Sequence, residues 1–338
     1  MGAVKIRSTE DRAWLPVYDV AAAGTVRRTA VAVAAEAGMP EARVADLAIV
    51  ATELATTLAK HANGGRVALR LARCGEAIGV ELVALDDGPG MGDVAASITD
   101  GYSTAGSLGI GLGAVVRLAT EFGVYSQADP GGTTLVASVW TTPPEPARTA
   151  GLRRAITGES VCGDAYAARE VDGRLQIMLC DGLGHGPLAG RAADAAVAAF
   201  LDAPVANPRH TVAYMNDRLG HTRGVVAAVA ELDGDAGVVR FAGVGNVTAV
   251  VADGVGGRRG MVSLPGILGH RPPAPREFEY ALSPSAAVIL HSDGLSDRWH
   301  LADFPGLWSH PPVVQAGTLL RAAGRRRDDA SIVVATAS

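Results

Sequence analysis

Apolar residues recur at helical spacing in two stretches near the start of the chain, GTVRRTAVAVAAEAGM and EARVADLAIVATELATTLAKHA. Pro40 stands just before the second stretch, at a position that suits the start of a helix. Two shorter apolar runs, RVALRLAR and IGVELVAL, then predict strands joined by the turn CGEA. We therefore expect two helices before the first strand.

A Gly-rich loop follows, then a helical pattern over GLGAVVRLATEF, then strands near 123–127 and 133–140. This order predicts a layer of helices on an antiparallel or mixed sheet, an α+β sandwich. The second half of the chain is dominated by short strands, with helical patterns at 187–201, 210–219 and 312–323. Strand runs interrupted by a pair of helices predict two sheets covered by helices.

The clearest boundary is TTPPEPARTAG at 141–151, where three prolines follow a β-like run. A chain of 338 residues is also long for one hydrophobic core. We predict one domain over 10–140, a linker over 141–157 and a second domain over 158–338.

Charge and composition exclude several classes of function. The formal charge is −5, and the Arg residues are scattered apart from RRR at 325–327, so nucleic-acid binding is disfavoured. There is no secretory h-region and no apolar run of the roughly 18 residues that a membrane span needs, so we expect a soluble protein without a membrane partner. Cys74, Cys162 and Cys180 lack a disulfide or zinc spacing, which favours the cytoplasm. The oligomeric state stays open, a dimer included.

Four aspartates in the second half share one context, the end or beginning of an apolar strand beside a small residue: Asp164, Asp181, Asp293 and Asp328. Any one of them alone is typical of a turn. Together they suit hard divalent cations, which prefer carboxylate and carbonyl oxygens. The glycine after Asp181 would let the backbone carbonyl of Gly182 reach the same ion. Two metals could share a hydroxide and clamp a phosphoryl group for in-line attack.

The ordered motifs GDAY, DGLGHG, GVGN, SDGLSD and RDDAS resemble the PP2C-type serine/threonine phosphatases of the bacterial SpoIIE/RsbU/RsbX branch, over about 158–338. The resemblance implies an αββα sandwich with two Mn²⁺ or Mg²⁺ ions. Asp164, Asp181 and the Gly182 carbonyl would be the core ligands, Asp293 and Asp328 would complete the second metal, and Asp329 ranks below Asp328.

One position departs from that pattern. Ala167 stands where RsbU-like members often have a further Asp, and the motif forms are closer to RsbX, a phosphatase of stress-signalling STAS-domain proteins. His185 is a candidate acid, although its flanking glycines suit a structural turn equally well. The hydroxyl of Ser292 is better suited to bonding the turn than to nucleophilic attack.

In the first half, Glu53, Thr57 and His61 fall at i, i+4 and i+8 and so share one helix face. Alone, this is a polar stripe on an amphipathic helix. DDGPG then places Asp86 at a strand end, where it could accept from an exocyclic amine. GSLGIGLG at 106–113 opens a helix, and such loops favour phosphates.

This order resembles the N, G1 and G2 boxes of the GHKL/Bergerat ATP-binding fold, in the RsbT/RsbW class of anti-sigma serine kinases, over about 10–140. The resemblance implies that Glu53 is the kinase base and Asp86 reads adenine. The other cofactor-binding positions would be Thr57, Gly88, Gly90, Gly109, Gly111, Gly113 and Thr133. Thr57 replaces the Asn that normally holds Mg²⁺, and its hydroxyl is a poorer ligand, so ATP binding is favoured over phosphoryl transfer.

These observations predict a fused partner-switching regulator that removes phosphate from Ser or Thr of STAS-domain antagonist or stressosome-type proteins and carries an ATP-binding regulatory domain. Two alternatives stay open. The chain could be an ATP-binding module that sequesters a partner, with the phosphatase fold as sensor or scaffold. It could also be a bifunctional kinase and phosphatase.

Overall fold

The computed structural model describes residues 6–62, 64–98, 111–129, 131–204, 206–253, 257–270, 272, 274–325 and 327–337. The chain divides into two compact units. The N-terminal unit is Arg7–Pro146, and the C-terminal unit comprises Ile6 and Ala147–Ser338. Each unit is built around its own sheet system.

The N-terminal unit contains one five-stranded sheet in the order β1-β2-β3-β5-β4, and every neighbouring pair in it is antiparallel. Its strands are β1 (Ser8–Val17), β2 (Gly65–Cys74), β3 (Ala77–Asp86), β4 (Glu121–Gln127) and β5 (Gly132–Trp140). The prediction that two helices precede the first strand is wrong, because β1 comes before them. Its sequence STEDRAWLPV is too polar to be identified as a strand on its own, and it forms only as an edge strand paired with β2.

Helices cover this sheet and close the core. They are α1 (Ala21–Glu36), α2 (Glu41–His61), the single turn α3 (Val94–Ser97) and α4 (Gly111–Leu118). Pro40 is the N-cap of α2, as its sequence position suggests. Leu47, Val50 and Leu54 of α2 are fully buried in one apolar cluster with β2 and β3. Helix α4 stops at Leu118, before the end of the predicted pattern, because β4 begins at Glu121 and pairs with β5.

The C-terminal unit contains two five-stranded antiparallel sheets. One has the order β13-β10-β9-β8-β7 and the other β12-β11-β14-β15-β6. The strands are β6 (Thr149–Arg154), β7 (Asp164–Val171), β8 (Arg174–Gly182), β9 (Val225–Asp233), β10 (Val238–Val244), β11 (Thr248–Asp253), β12 (Gly257–Gly260), β13 (Phe278–Ala281), β14 (Ala286–His291) and β15 (Ala330–Thr336).

The prediction of a linker over 141–157 needs correction at β6, a strand that lies within that range. TAGLRR pairs along its length with β15 as the edge strand of the second sheet. The preceding prolines obscured the strand, which has a single large apolar residue, Leu152.

The layers of the C-terminal unit follow from alternation along its strands. Ile177 and Leu179 of β8 face an apolar core shared with Val288 of β14, between the two sheets. Met178 of β8 faces the opposite side, in a cluster with Phe200. The helices are α5 (Pro187–Asp202) and α6 (Pro208–Arg218) on the first sheet and α7 (Pro312–Ala323) on the second, with 3₁₀ turns at Leu301–Asp303 and Leu307–Ser309. The result is an αββα sandwich.

Among the described residues, no helix combines the length and the apolar character that a membrane crossing requires. Cys74, Cys162 and Cys180 are all free thiols.

Candidate active site and nucleotide site

Two of the strand-end acids face each other across a strand pair. Asp164 begins β7, Asp181 stands one residue before the end of β8, and the two are register partners. Directly opposite residues on neighbouring strands have side chains about 5 Å apart, and the two carboxyl groups lie within hydrogen-bonding reach. Antiparallel pairing therefore brings together two residues that are separated by 16 residues in sequence.

The other two acids lie at one edge of the second sheet. Asp293 follows the end of β14, and Asp328 precedes the start of the neighbouring strand β15. Ser292 fixes this edge, because its N–H donates to the Ser331 carbonyl and its Oγ accepts from the Ser331 N–H, both at 3.0 Å. The Ser292 hydroxyl is thus engaged with the neighbouring strand.

Charge crowding joins the two pairs into one cluster. Burial raises the pKa of Asp164 to about 7, and the charges of Asp329 and Asp293 add to that rise, while a hydrogen bond from Ser292 opposes it. Burial also raises the pKa of Asp181 to about 8, with further contributions from Asp164, Asp293 and Asp328. The pKa of Asp328 is raised by partial burial and by Asp293. Four carboxyl groups in this arrangement call for a compensating cation.

The residues present fit a divalent cation in their chemistry. Oδ2 of Asp164 is buried and has no hydrogen-bond partner among the described residues, and buried carboxylate oxygens are rarely left without one. In the described part of the chain, no three His, Cys, Asp or Glu side chains converge tightly enough to enclose a metal ion by themselves. Mg²⁺ is commonly held through one or two carboxylates and keeps several waters, so the Asp164 and Asp181 pair suffices to begin such a site.

Glycines allow the segments that carry the acids to approach closely. The Gly182 N–H donates to the Gly163 carbonyl at 3.0 Å, and a Cβ on Gly182 would overlap the Ala189 carbonyl. A Cβ on Gly294 would overlap the carbonyl oxygen of Asp329. Larger residues at these positions would force the acidic segments apart.

Asn246 and Asp329 make contacts near the acids that the sequence did not predict. Asn246 Nδ2 donates to Asp293 Oδ2 at 2.8 Å, and the motif GVGN that contains it was the available signal. Asp329 is buried and accepts backbone hydrogen bonds with both oxygens. His185 is largely exposed, and its Nδ1 lies 3.1 Å from Glu159 Oε1, so it forms a surface pair beside the DGLGHG turn.

In the N-terminal unit, α2 brings Glu53 to the first turn of α4. Glu53 Oε2 lies 3.7 Å from the place that a Cβ on Gly111 would occupy. Thr57 follows one turn later on α2 and is partly buried, and Gly113 is buried within α4. Gly109 lies outside the described residues. The carboxylate of Glu53 and the start of α4 therefore adjoin each other.

Asp86 ends β3 and is 8% exposed. Its Oδ1 accepts from the Gly88 N–H at 2.8 Å, and its register partner on β5 is Thr133. Gly131 has a φ of +85° and lies so close to the Gly88 carbonyl that a side chain would clash. Gly90, at a φ of +75°, approaches the Gln127 carbonyl in the same way. The 86–90 turn is thus held against the hairpin between β4 and β5.

A cleft of about 490 Å³ opens beside this turn. Its described lining includes Lys60 and His61 at the end of α2 and Asp87, Gly88 and Pro89 of the turn. Glu53 and Thr57 do not contribute to the described lining of the cleft.

Comparison with known proteins identifies both units. Residues 18–139 match the family described as histidine kinase-like ATPase domain, and residues 171–338 match stage II sporulation protein E (SpoIIE). The serine/threonine-protein kinase RsbT of Bacillus subtilis (strain 168) is 33% identical over 123 residues, which are 36% of this chain and 90% of RsbT. The N-terminal part of the chain belongs to the histidine kinase-like ATPase family, and its C-terminal part is matched by the SpoIIE model. Its SpoIIE part is a PP2C-type protein serine/threonine phosphatase domain.

Relatives and solved structures agree with this assignment. The phosphoserine phosphatase RsbX of Bacillus subtilis (strain 168) is 23% identical over 139 residues, 41% of this chain and 70% of RsbX. A chain of a structure described as the bacterial stressosome superposes with a TM-score of 0.50 at 30% identity, covering 56% of this chain and 98% of that one. RsbX in complex with magnesium superposes with a TM-score of 0.50 at 21% identity, covering 56% of this chain and 94% of RsbX, and shows the fold.

Proposed function

We propose that the C-terminal unit removes phosphate from phosphoserine or phosphothreonine of STAS-domain proteins in a bacterial partner-switching pathway, with two Mn²⁺ or Mg²⁺ ions as cofactors. The observation that carries the proposal is the facing pair of Asp164 and Asp181, together with the buried Oδ2 of Asp164, which has no hydrogen-bond partner among the described residues. Asp164, Asp181 and the Gly182 carbonyl would hold one ion, and Asp293 and Asp328 would complete the second.

The residues of the chain have separate tasks in this proposal. When bound, the cations would activate water and neutralise charge on the phosphoryl group. The β7–β8 pairing fixes the spacing of Asp164 and Asp181, and the Ser292–Ser331 bonds fix the edge that carries Asp293 and Asp328. Asn246 orients the Asp293 carboxylate by donating to its Oδ2. The surrounding carboxylates disfavour a bare phosphate dianion, so hydrolysis would depend on cation loading.

The relatives of the two units indicate the class of substrate. Relatives of the two units are a kinase and a phosphoserine phosphatase of one organism, and one similar structure is described as a stressosome. A chain that carries both modules suits a partner protein whose serine or threonine is phosphorylated and dephosphorylated in turn. Phosphorylated STAS-domain antagonists or stressosome-type proteins are such partners.

The test is hydrolysis of phosphorylated STAS-domain proteins from the source genome by the full chain with Mn²⁺. Asp181→Asn should abolish phosphate release, whereas Asp194→Asn should not, because Asp194 is an exposed residue of α5 that serves as a matched control. If the wild-type chain releases no phosphate from these proteins or from an aryl phosphate, the proposal fails.

We further propose that the N-terminal unit binds ATP and transfers phosphate poorly. Support comes from Asp86 at the cleft-side turn and from the approach of Glu53 to the start of α4. Thr57 offers a hydroxyl where a Mg²⁺-binding amide oxygen is expected. Calorimetry with ATP, with and without Mg²⁺, tests this. Transfer of radiolabel from ATP to a STAS protein that Glu53→Ala abolishes would instead establish a bifunctional kinase and phosphatase.

A further inference from the structure

Asp329 is a buried carboxylate with both oxygens engaged by the backbone. Oδ1 accepts from the Ile156 N–H and Oδ2 from the Gly163 N–H, both at 2.7 Å, and only 4% of the residue is exposed. A carboxylate between two short backbone bonds is held in one orientation. Moving it toward a metal would leave two amide groups without their partner.

The two donors bracket the connection between β6 and β7. Ile156 lies just after β6, and Gly163 immediately precedes Asp164. The Asp329 side chain thus ties the two ends of the 156–163 loop together. It lies 173 residues after Ile156 and 166 residues after Gly163 in sequence. The position of Asp164 depends on that closure, because the N–H of the residue before it, Gly163, is one of the two donors.

Asp329 also contacts the other two acidic segments. Its carbonyl oxygen occupies the space that a Cβ on Gly294 would need, next to Asp293. Its N–H donates to Asp328 Oδ1 at 3.0 Å. A single residue therefore touches the segments of Asp164, Asp293 and Asp328, which come from both sheets.

We propose that Asp329 is the positioning residue of the acidic site, fixing the relative placement of the three segments without binding metal itself. The inference rests on the proposed metal-dependent phosphatase. Asp329→Asn retains one acceptor oxygen and turns an amide NH₂ toward the second N–H, so it opens one side of the 156–163 loop.

The experiment measures Mn²⁺ binding to the full chain by calorimetry and by electron paramagnetic resonance. Asp329→Asn should weaken Mn²⁺ affinity about 10- to 100-fold while the number of bound ions stays that of the wild type, and excess Mn²⁺ should restore phosphate release. Gly163→Ala should give the same phenotype with the charge intact, because its Cβ would lie 2.8 Å from Asp329 Oδ2. Asp328→Asn should instead lower the number of ions bound.

Val334→Ala controls for stability, because Val334 is a fully buried residue of β15 away from the acids. It should lower thermal stability and leave Mn²⁺ affinity unchanged. Hydrogen exchange on the chelated wild type gives a reading that needs no variant: the amides of Ile156 and Gly163 should be protected.

Loss of one bound ion in Asp329→Asn would overturn the proposal by making Asp329 a ligand. Unchanged Mn²⁺ affinity, or unprotected amides at 156 and 163, would also overturn it. A wild-type chain that binds no Mn²⁺ would count against the proposed function instead.

Discussion

The two candidate sites share one device, an aspartate at the end of a buried strand followed closely by glycine, and they surround it differently. Asp181 at the end of β8 adjoins Asp164, Asp293 and Asp328, and its pKa rises to about 8. Asp86 at the end of β3 accepts the Gly88 N–H of its own turn, and the next residues of that turn, Asp87 to Pro89, line a cleft. The comparison teaches that neighbours, and not the Asp-Gly turn itself, decide whether such a carboxylate suits a cation or a hydrogen-bond donor such as an amine.

The largest effect should come from Asp181→Asn. Removing one carboxylate of the facing pair should reduce phosphate release by more than about 100-fold with Mn²⁺ present, since even loss of a residue that only supports a metal ligand costs 10- to 100-fold. ATP binding should be unchanged in the same preparation. Residual activity near that of the wild type would remove Asp181 from the site.

Stability with chelator should depend on pH in the C-terminal unit. The pKa values of Asp164 and Asp181 in the folded protein, about 7 and about 8, lie above the ordinary value of 3.8. The stability that the folded protein gains from these raised pKa values is fully present below about pH 4. It is lost as the pH rises through about 7 to 8 and the two carboxyl groups ionise. Between about pH 5 and 8 the melting temperature should fall on the order of 5 °C.

Added Mn²⁺ should remove most of that fall, and scanning calorimetry over the pH range measures it. A double variant, Asp164→Asn with Asp181→Asn, should flatten the pH profile in chelator. A wild-type profile that is already flat would mean that the acids do not crowd one another.

Asp86→Asn should impair the nucleotide site and leave the acidic site unchanged. The amide oxygen of Asn can still accept from the Gly88 N–H, but the amide NH₂ that replaces the second carboxylate oxygen cannot accept from an adenine amine. ATP affinity should therefore fall about 10- to 100-fold. Glu76→Gln is the control, because Glu76 lies in the turn before β3, at the other end of that strand from Asp86. Phosphate release should be unaffected by both changes.

Thr57→Asn should give a smaller effect of opposite sign. An amide oxygen is a better ligand for a hard cation than a hydroxyl, so Mg²⁺ should strengthen ATP binding of the variant about three- to tenfold and that of the wild type hardly at all. Calorimetry at matched ionic strength measures the difference. Equal Mg²⁺ dependence in both chains would show that Thr57 does not limit cation binding.

His185→Gln should change phosphate release by less than about twofold, the smallest effect of the series. The exposed pair with Glu159 contributes little energy, and a surface imidazole is poorly placed to control proton transfer. A loss above tenfold, with a shift of the acidic or basic limb of the pH–rate profile, would make His185 a catalytic acid.

Sequence patterns predicted most of the architecture, because long apolar runs and ordered motifs carry local information. The αββα sandwich and the helical layer on an antiparallel sheet are confirmed. Strands β1 and β6 were missed because each is a polar or proline-flanked edge that only a neighbouring strand stabilises. The hydrogen bonds of Asp329 could not be derived from the RDDAS motif, because its partners Ile156 and Gly163 lie more than 160 residues away.

The closeness of Gly163 to the Asp329 side chain has a consequence for folding order. This contact joins segments from opposite ends of the C-terminal unit, and a long loop must close before it forms. Metal uptake should therefore follow the slowest step of refolding and not nucleate it. In a stopped-flow refolding experiment, bound Mn²⁺ would then report the arrival of the last strand, β15, in its place between β14 and β6.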